Sequence, residues 1–205
     1  MAWTSFLRYP SLYIAVQKAL RADALRRLCI SKLALEKGNR VLDIGCGPAD
    51  YLEDLRDVEY HGFDTAPQYI EHARQRFGDR GHFYCEVYAE HHVAALAPFD
   101  RVMLMGLLHH LDDAACDDLL GLIARSLASG GRVVTLDTCF EEQRPFLRTF
   151  IAKRDRGEYV RVPRQYEALA RPHFTRVSGF HANDICRIPI SEWIMVLEDP
   201  TAQRK

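Results

Sequence analysis

Residues 41–50 read Val-Leu-Asp-Ile-Gly-Cys-Gly-Pro-Ala-Asp, VLDIGCGPAD. A short apolar run with β-branched Val41 and Ile44 meets a pair of glycines, the pattern of a buried strand breaking into a tight turn before a helix. In open α/β sheets a ligand sits in the crevice beyond the carboxyl ends of the strands, so this turn is where one is expected. It could hold the pyrophosphate of a dinucleotide, a mononucleotide phosphate, or a ligand with no phosphate at all. The dinucleotide fingerprint Gly-x-Gly-x-x-Gly closes on a small residue, whereas Gly45-Cys46-Gly47-Pro48-Ala49-Asp50 places a carboxylate there, the wrong charge beside a pyrophosphate. The phosphate-loop pattern also fails, since no Gly-Lys-Ser/Thr follows. Asp43, just before the first glycine, suits a ligand that carries positive charge. Asp64, 21 residues further on, ends the next apolar run, YHGFD, where a carboxylate can take both hydroxyls of a ribose.

Outward from this turn the pattern alternates. Strands are predicted at Val41–Ile44, Val58–Phe63, His82–Val87, Arg101–Met105 and in SGGRVVTLD (129–137). Helices are predicted at Ala49–Leu55, at Pro67–Phe77 with Pro near its first position, and from a cap at Asp112 or Asp113 to about Ala128. Ahead of the turn, residues 11 to about 36 carry apolar residues at helical spacing, and Gly38 closes that segment. After Asp137 two helical stretches, near 143–153 and 163–171, precede RVSGFHAND and RIPISEWIMVLE, read as an antiparallel strand pair at the sheet edge. Strands alternating with helices argue for a doubly wound, mostly parallel sheet with helices on both faces.

The chain has 205 residues, 48% hydrophobic and 27% charged, with a formal net charge of −1. That suits one soluble globular domain and supplies no global field for nucleic acid or an anionic membrane. The charge is uneven: positions 50–118 hold 15 acidic and 5 basic residues, and positions 144–176 hold 9 basic and 3 acidic. Six cysteines (29, 46, 85, 116, 139 and 186) show no Cys-x-x-Cys and no regular spacing, which argues for reduced thiols rather than a disulfide scaffold or zinc site. Gln17, Lys18 and Arg21 interrupt any signal-peptide core, and no run approaches the roughly 18 to 20 apolar residues of a membrane span. A cytoplasmic location is the expectation. Neither an internal repeat nor a separate nucleic-acid module is visible.

At this point the sequence resembles the class I S-adenosylmethionine-dependent methyltransferases, in particular their small, single-domain branch acting on small molecules. VLDIGCGPADYL is similar to the first motif of that family and Asp64 to its second. FDRVMLMGLLHHL (99–111) is similar to the fourth, and LASGGRVVTLD (127–137) to the fifth-strand motif. The resemblance covers about residues 40–140 in the right order. It implies a Rossmann-like fold with a seven-stranded sheet and an antiparallel edge strand. It also implies S-adenosylmethionine as methyl donor, with S-adenosylhomocysteine as product. Residues 1–38 would form a helical lid or cap, 39–140 the cofactor-binding core, and 141–205 the substrate-side helices and edge strands of a single domain.

The resemblance implies roles by position. Gly45, Cys46 and Gly47 would let the backbone approach the methionine part of the cofactor, with Asp43 holding its ammonium group. Asp64 would take the ribose hydroxyls, Thr65 would lie against the adenine, and Gly106 would line the floor near the transferred methyl. The third strand departs from the family's pattern of Gly-Asp at its end: FYCEVYAE places Val87 at the expected acid and Glu86 one position away. Either Glu86 or a backbone group near Val87 would read the adenine.

His109 and His110 follow the fourth strand, where the acceptor should lie. They would position it or, for His109, serve as general base; alternatively they hold the loop in shape. Tyr13, with Phe6 and Tyr9, would close over the acceptor or pack an amphipathic helix on the sheet. In the basic stretch 144–171, Arg156 and Arg161 are candidate clamps for an anionic or sugar-bearing acceptor, with solvated helix faces the other reading. His91 and His92 with Glu90 offer metal-binding side chains, but adjacent histidines in a strand point oppositely and no third ligand lies at useful spacing, so a surface or cofactor-covering loop is expected instead of a metal site. The partner is a small-molecule acceptor rather than nucleic acid, and monomer and homodimer both stay open. Two other functions compete: a nicotinamide-dependent reductase, disfavoured by Asp50 and by the lack of a Tyr-x-x-x-Lys pair, and a catalytically silent cofactor-binding module.

Overall fold

The structure, a computed structural model, describes residues 22–141, 158–183, 185 and 191–201. Helix α1 (Ala22–Leu33) precedes strand β1 (Arg40–Ile44). Strand β2 (Glu59–Phe63), helix α2 (Pro67–Phe77), strand β3 (His82–Tyr84) and helix α3 (Glu90–Leu96) follow. Strand β4 (Phe99–Met105), helix α4 (Asp113–Ser126) and strand β5 (Leu127–Thr138) complete the central alternation. Helix α5 (Pro163–Ala170) then leads to strands β6 (Phe174–His181) and β7 (Glu192–Pro200).

The seven strands form one sheet in the order β3-β2-β1-β4-β5-β7-β6. Strands β1 to β5 pair in parallel, and β7 runs antiparallel between β5 and β6. The expected doubly wound sheet is present, and its antiparallel strand lies within the edge pair, with β6 outermost. Strand alternation sends Leu42, Ile44, Phe63, Val102, Leu104 and Val133 to one face, where they pack under α3, α4 and α5. Val41, Tyr60, Met103, Val134 and Leu136 face the other way, under α1 and α2.

Three expected elements differ. The helix predicted at Ala49–Leu55 is a 3₁₀ turn, Asp50–Glu53: Ala49 enters it at a φ of 58°, and Asp57 at 53° turns the chain into β2. That short turn still buries Leu52 and Leu55. Strand β3 stops at Tyr84 rather than Val87, because β2 ends at Phe63 and the Asp64 N–H to the Tyr84 carbonyl is the last bond between them. His91 and His92, expected in a loop, lie on helix α3; the His92 Nδ1 accepts the Ala89 N–H at 3.1 Å and so caps the helix start. The predicted helix near 143–153 and the amino-terminal part of the one at 11–36 lie outside the described residues.

At the sheet edge Gly179 leaves the space that the indole of Trp193 occupies. A Cβ on Gly179 would stand 2.3 Å from Trp193 Cζ2, and the indole also packs edge to face with the ring of His181, centroids 4.9 Å apart. Gly179→Ala is therefore expected to destabilise the protein by about 1–3 kcal/mol, the usual cost of overpacking. Urea denaturation of the two proteins measures it, and an unchanged midpoint would show that the indole has room to move.

Candidate active site

The site is built where the carboxyl ends of β1, β2 and β4 meet. After Ile44 the chain turns at Gly45 with a φ of 75°, and the backbone N–H groups of Gly45 and Cys46 both donate to the Phe63 carbonyl, at 2.8 and 3.0 Å. Gly47 adopts a φ of 54°, and its N–H donates to Asp64 Oδ2 at 2.9 Å. Asp64 Oδ1 accepts the Ala66 N–H at 2.8 Å. Two backbone donors thus orient the half-buried Asp64 carboxylate, with lone pairs remaining for further donors. A Cβ on Gly47 would meet nothing within 4 Å, so the backbone here borders open space.

Asp43 lies beneath the turn, 1% exposed. Its Oδ2 accepts the Tyr60 hydroxyl at 2.7 Å, while Oδ1 is buried with no hydrogen-bond partner. Burial pushes its carboxyl from an ordinary 3.8 up to about 7, with the nearby Asp64 charge adding to the effect. A buried carboxyl with an orphaned oxygen fits a cationic ligand group above it, directly or through water. Cys46 contributes its backbone; its thiol is turned inward, and burial keeps it protonated.

At the end of β3, Thr65 and Cys85 come together, the Cys85 thiol lying 4.0 Å from the Thr65 carbonyl. Val87 is 68% exposed, an apolar side chain presented to solvent beside the turn. Glu86 is turned toward α3, its Oε2 being 3.5 Å from His92 Nε2.

Beyond β4 the Gly106 N–H donates to the Leu136 carbonyl, which ties this turn to β5. A 3₁₀ turn, Leu108–His110, then buries His109 against Asp137 at the end of β5. Asp137 Oδ1 accepts both the His109 backbone N–H at 3.1 Å and its Nδ1 at 2.9 Å. With the proton on Nδ1, the lone pair of the neutral ring is on Nε2, the state a general base requires. The ring lies against Gly106, where a Cβ would stand 3.6 Å from His109 Cε1. A Cβ on Gly45 would stand 3.2 Å from Leu107, so the β1 and β4 turns are in contact. Sequence reasoning passed over Asp137 as a partner, although it ends β5 as Asp43 and Asp64 end their own strands.

A family model described as a methyltransferase domain matches residues 41–131, the segment that carries the glycine turn, Asp64 and the β4 turn. A ubiquinone biosynthesis O-methyltransferase of Xylella fastidiosa is 28% identical over 197 residues, covering 86% of this chain and 75% of that one. An uncharacterised methyltransferase of Geobacillus thermodenitrificans is 27% identical over 130 residues, covering 62% of this chain and 60% of that one. Among solved structures, phosphoethanolamine N-methyltransferase 2 of Haemonchus contortus, in complex with S-adenosyl-L-methionine, superposes with a TM-score of 0.65 at 16% identity. That match covers 86% of this chain and 52% of that one, so the chain spans about half the length of that structure. The chain thus carries a methyltransferase-domain match over residues 41–131 and shares the fold of S-adenosylmethionine-dependent methyltransferases.

Within this fold, one residue expected at the ligand, Arg161, is placed away from it. Arg161 is buried, and its five N–H groups are all occupied inside the protein. Nε and Nη2 donate to Asp113 Oδ1, Nη1 to the Leu108 and Tyr159 carbonyls, and Nη2 to the Leu111 carbonyl, at 2.7–3.0 Å. Arg161 therefore clamps the turn that carries His109 instead of an anionic acceptor. Asp50 faces α2, pairing with Arg76 at 2.6 Å, and its charge is answered there rather than at the turn. His110 is exposed, with its ring 4.3 Å from that of His109. Tyr13 and Arg156 lie outside the described residues.

Arg161→Lys is expected to destabilise the methyltransferase by roughly 1–3 kcal/mol, because an ammonium cannot serve carbonyls and a carboxylate on three sides. Equilibrium denaturation measures this, and a loss within error would remove the clamp role. For Asp43, the folded carboxyl binds its proton more tightly than the unfolded one. Its contribution to stability is therefore full below the ordinary 3.8 and is lost as pH rises through about 7. Asp137, raised by burial, has the same sign. The melting temperature of Asp43→Asn relative to wild type should rise across that window; a constant difference would count against a buried titrating Asp43.

Proposed function

We propose that this protein methylates a hydroxyl group of a small-molecule acceptor, using S-adenosylmethionine as donor. The observation that carries the reading is the pair of acidic side chains, Asp43 at the end of β1 and Asp64 just after β2, at the turn of the left-handed Gly45 and Gly47. Such a cradle suits a ligand with an ammonium, a sulfonium and a ribose, and repels phosphate. The methyltransferase-domain match over residues 41–131 agrees with it. Asp64 would accept the ribose hydroxyls, the orphaned oxygen of Asp43 would face the ammonium, and Thr65, Cys85 and Val87 would border the adenine. Glu86, turned toward His92, or a backbone group near Val87 would accept from the adenine amino group.

When bound, the cofactor supplies a methyl group on a sulfonium, open to attack by a lone pair from the opposite side. The chain's own part is to align that lone pair and to remove a proton from the acceptor. Alignment contributes up to roughly 7–11 kcal/mol in favourable cases. His109 Nε2 would take the hydroxyl proton, and the Asp137 carboxylate would stabilise the imidazolium that results, a contribution of about 10² to 10⁴-fold. A hydroxyl needs this help more than a neutral amine does, which favours oxygen as the accepting atom. The name of the Xylella relative, an O-methyltransferase, points the same way. No described arginine is available for an anionic acceptor at this turn, so the anion-clamp expectation has no support from Arg161.

Calorimetry with S-adenosylmethionine, S-adenosylhomocysteine and NADH tests the cofactor. Both sulfur nucleosides should bind, and Asp64→Ala should weaken them about a hundredfold, which is about 2.7 kcal/mol. Binding of NADH alone would overturn the reading. Transfer from a labelled donor to a panel of hydroxyl and amine acceptors tests the chemistry. His109→Ala and Asp137→Asn should each lower kcat by about 10² to 10⁴-fold with cofactor affinity kept. Binding without transfer to any acceptor would favour a silent module.

A further inference from the structure

A second cluster of ligating side chains lies at the opposite end of the sheet, where β2 and β3 begin. Glu59, His61 and His82 lie on one face, with His61 and His82 directly paired in the parallel register. One donor atom from each lies within 4.8 Å of the other two. His61 is 3% exposed, and its ring stands 4.7 Å from that of the exposed His82. Its Nε2 is 2.9 Å from Glu59 Oε1, close to the spacing of two ligands on one ion. Its Nδ1 is 3.2 Å from the Tyr84 hydroxyl, which can accept or donate. In the free protein Nε2–H donates to Glu59 and Nδ1 accepts the Tyr84 hydroxyl. Because Tyr84 can also accept, the proton can sit on Nδ1 once an ion replaces it at Nε2, the arrangement found behind metal-bound histidines.

Arg40 donates to Glu59 Oε1 from Nε at 3.1 Å and Nη2 at 3.0 Å, and its Nη1 is held by the Leu96 and Pro98 carbonyls. That fixes the carboxylate and leaves Oε2 without a protein partner among the described residues. The His82 ring likewise has no hydrogen bond among them. The other cluster of this kind, Glu86, His91 and His92, fails on tautomer. His92 Nδ1 accepts a backbone N–H, so the proton of the neutral ring is on Nε2, the atom that faces Glu86.

We propose that Glu59, His61 and His82 bind a divalent ion of the zinc class, with water completing the coordination. Two imidazoles and a carboxylate are the ligand set that zinc takes, and nickel and copper share it. The ion would bridge β2 and β3. Strand β3 has three residues and pairs with β2 alone among the described strands, and it leads directly into the loop of Cys85, Glu86 and Val87. A bridge here would stabilise the edge of the sheet that supports the adenine end of the cleft, without entering the chemistry.

The test uses tag-free, chelator-treated full-length protein in a Cys85→Ser background, which removes the thiol exposed among the described cysteines. Titration with zinc chloride, followed by calorimetry and by melting temperature, should show one saturable site per chain and a rise in melting temperature. His82→Ala and Glu59→Gln, both at exposed positions, should each weaken binding at least about tenfold, the loss that even an outer partner's removal gives. Replacing both Glu86 and His91 by Ala should leave the affinity unchanged. Absence of saturable binding, binding undiminished in His82→Ala, or binding lost with Glu86 and His91 instead would each overturn the proposal. Because zinc is titrated without cofactor or acceptor, the outcome is independent of the proposed methyl transfer.

Discussion

One carbonyl organises the cleft. The Phe63 oxygen, at the end of β2, accepts the backbone N–H groups of both Gly45 and Cys46. Those two bonds fold the β1 turn over the end of its neighbour, and the next N–H in line, that of Gly47, then falls on Asp64. No side chain of the turn takes part, which is why glycine at positive φ is required and why the residue between the glycines can be a buried cysteine. Parallel pairing of β1 with both β2 and β4 brings the three strand ends level. The same register sets His109 over the end of β5 through the Gly106 to Leu136 bond.

The strands and helices of the core were legible because their signals are local. A run of apolar residues, a Pro at the first helical position of α2 and an Asp cap at α4 act within a few residues of themselves. What failed was set by partners distant in sequence. Strand β3 is short because β2 supplies no further backbone to pair with, and nothing in FYCEVYAE marks that end. His91 and His92 read as a loop because a histidine capping a helix through Nδ1 has no sequence signature.

The site was legible in the same proportion. Asp43, Gly45, Gly47 and Asp64 come together as expected, since the motif and the turn are one local object. Arg161 was misread because a basic residue in a basic stretch looks solvated, whereas it is buried beneath the β4 turn 48 residues from the Asp113 it contacts. The pairing of Asp137 with His109 spans 28 residues and depends on β4 lying beside β5. An acid ending a buried strand was the available signal. Burying Asp43 and Asp137 with one oxygen each unpartnered costs the free protein stability, a cost a cationic ligand can offset.

The Arg161 clamp also bears on how acceptor preference can change. The guanidinium joins residues 158–162 to the turn of His109, and the Tyr159 N–H to His109 carbonyl bond adds a second tie. The segment leading into α5 and the turn that would carry the base are therefore one mechanical unit. Exchanging that segment for a relative's would displace His109 as well, unless Arg161 and its carbonyl partners travelled with it. Substitutions outside the clamp can therefore reshape the surroundings of the turn while His109 keeps its place, which is held by mechanics.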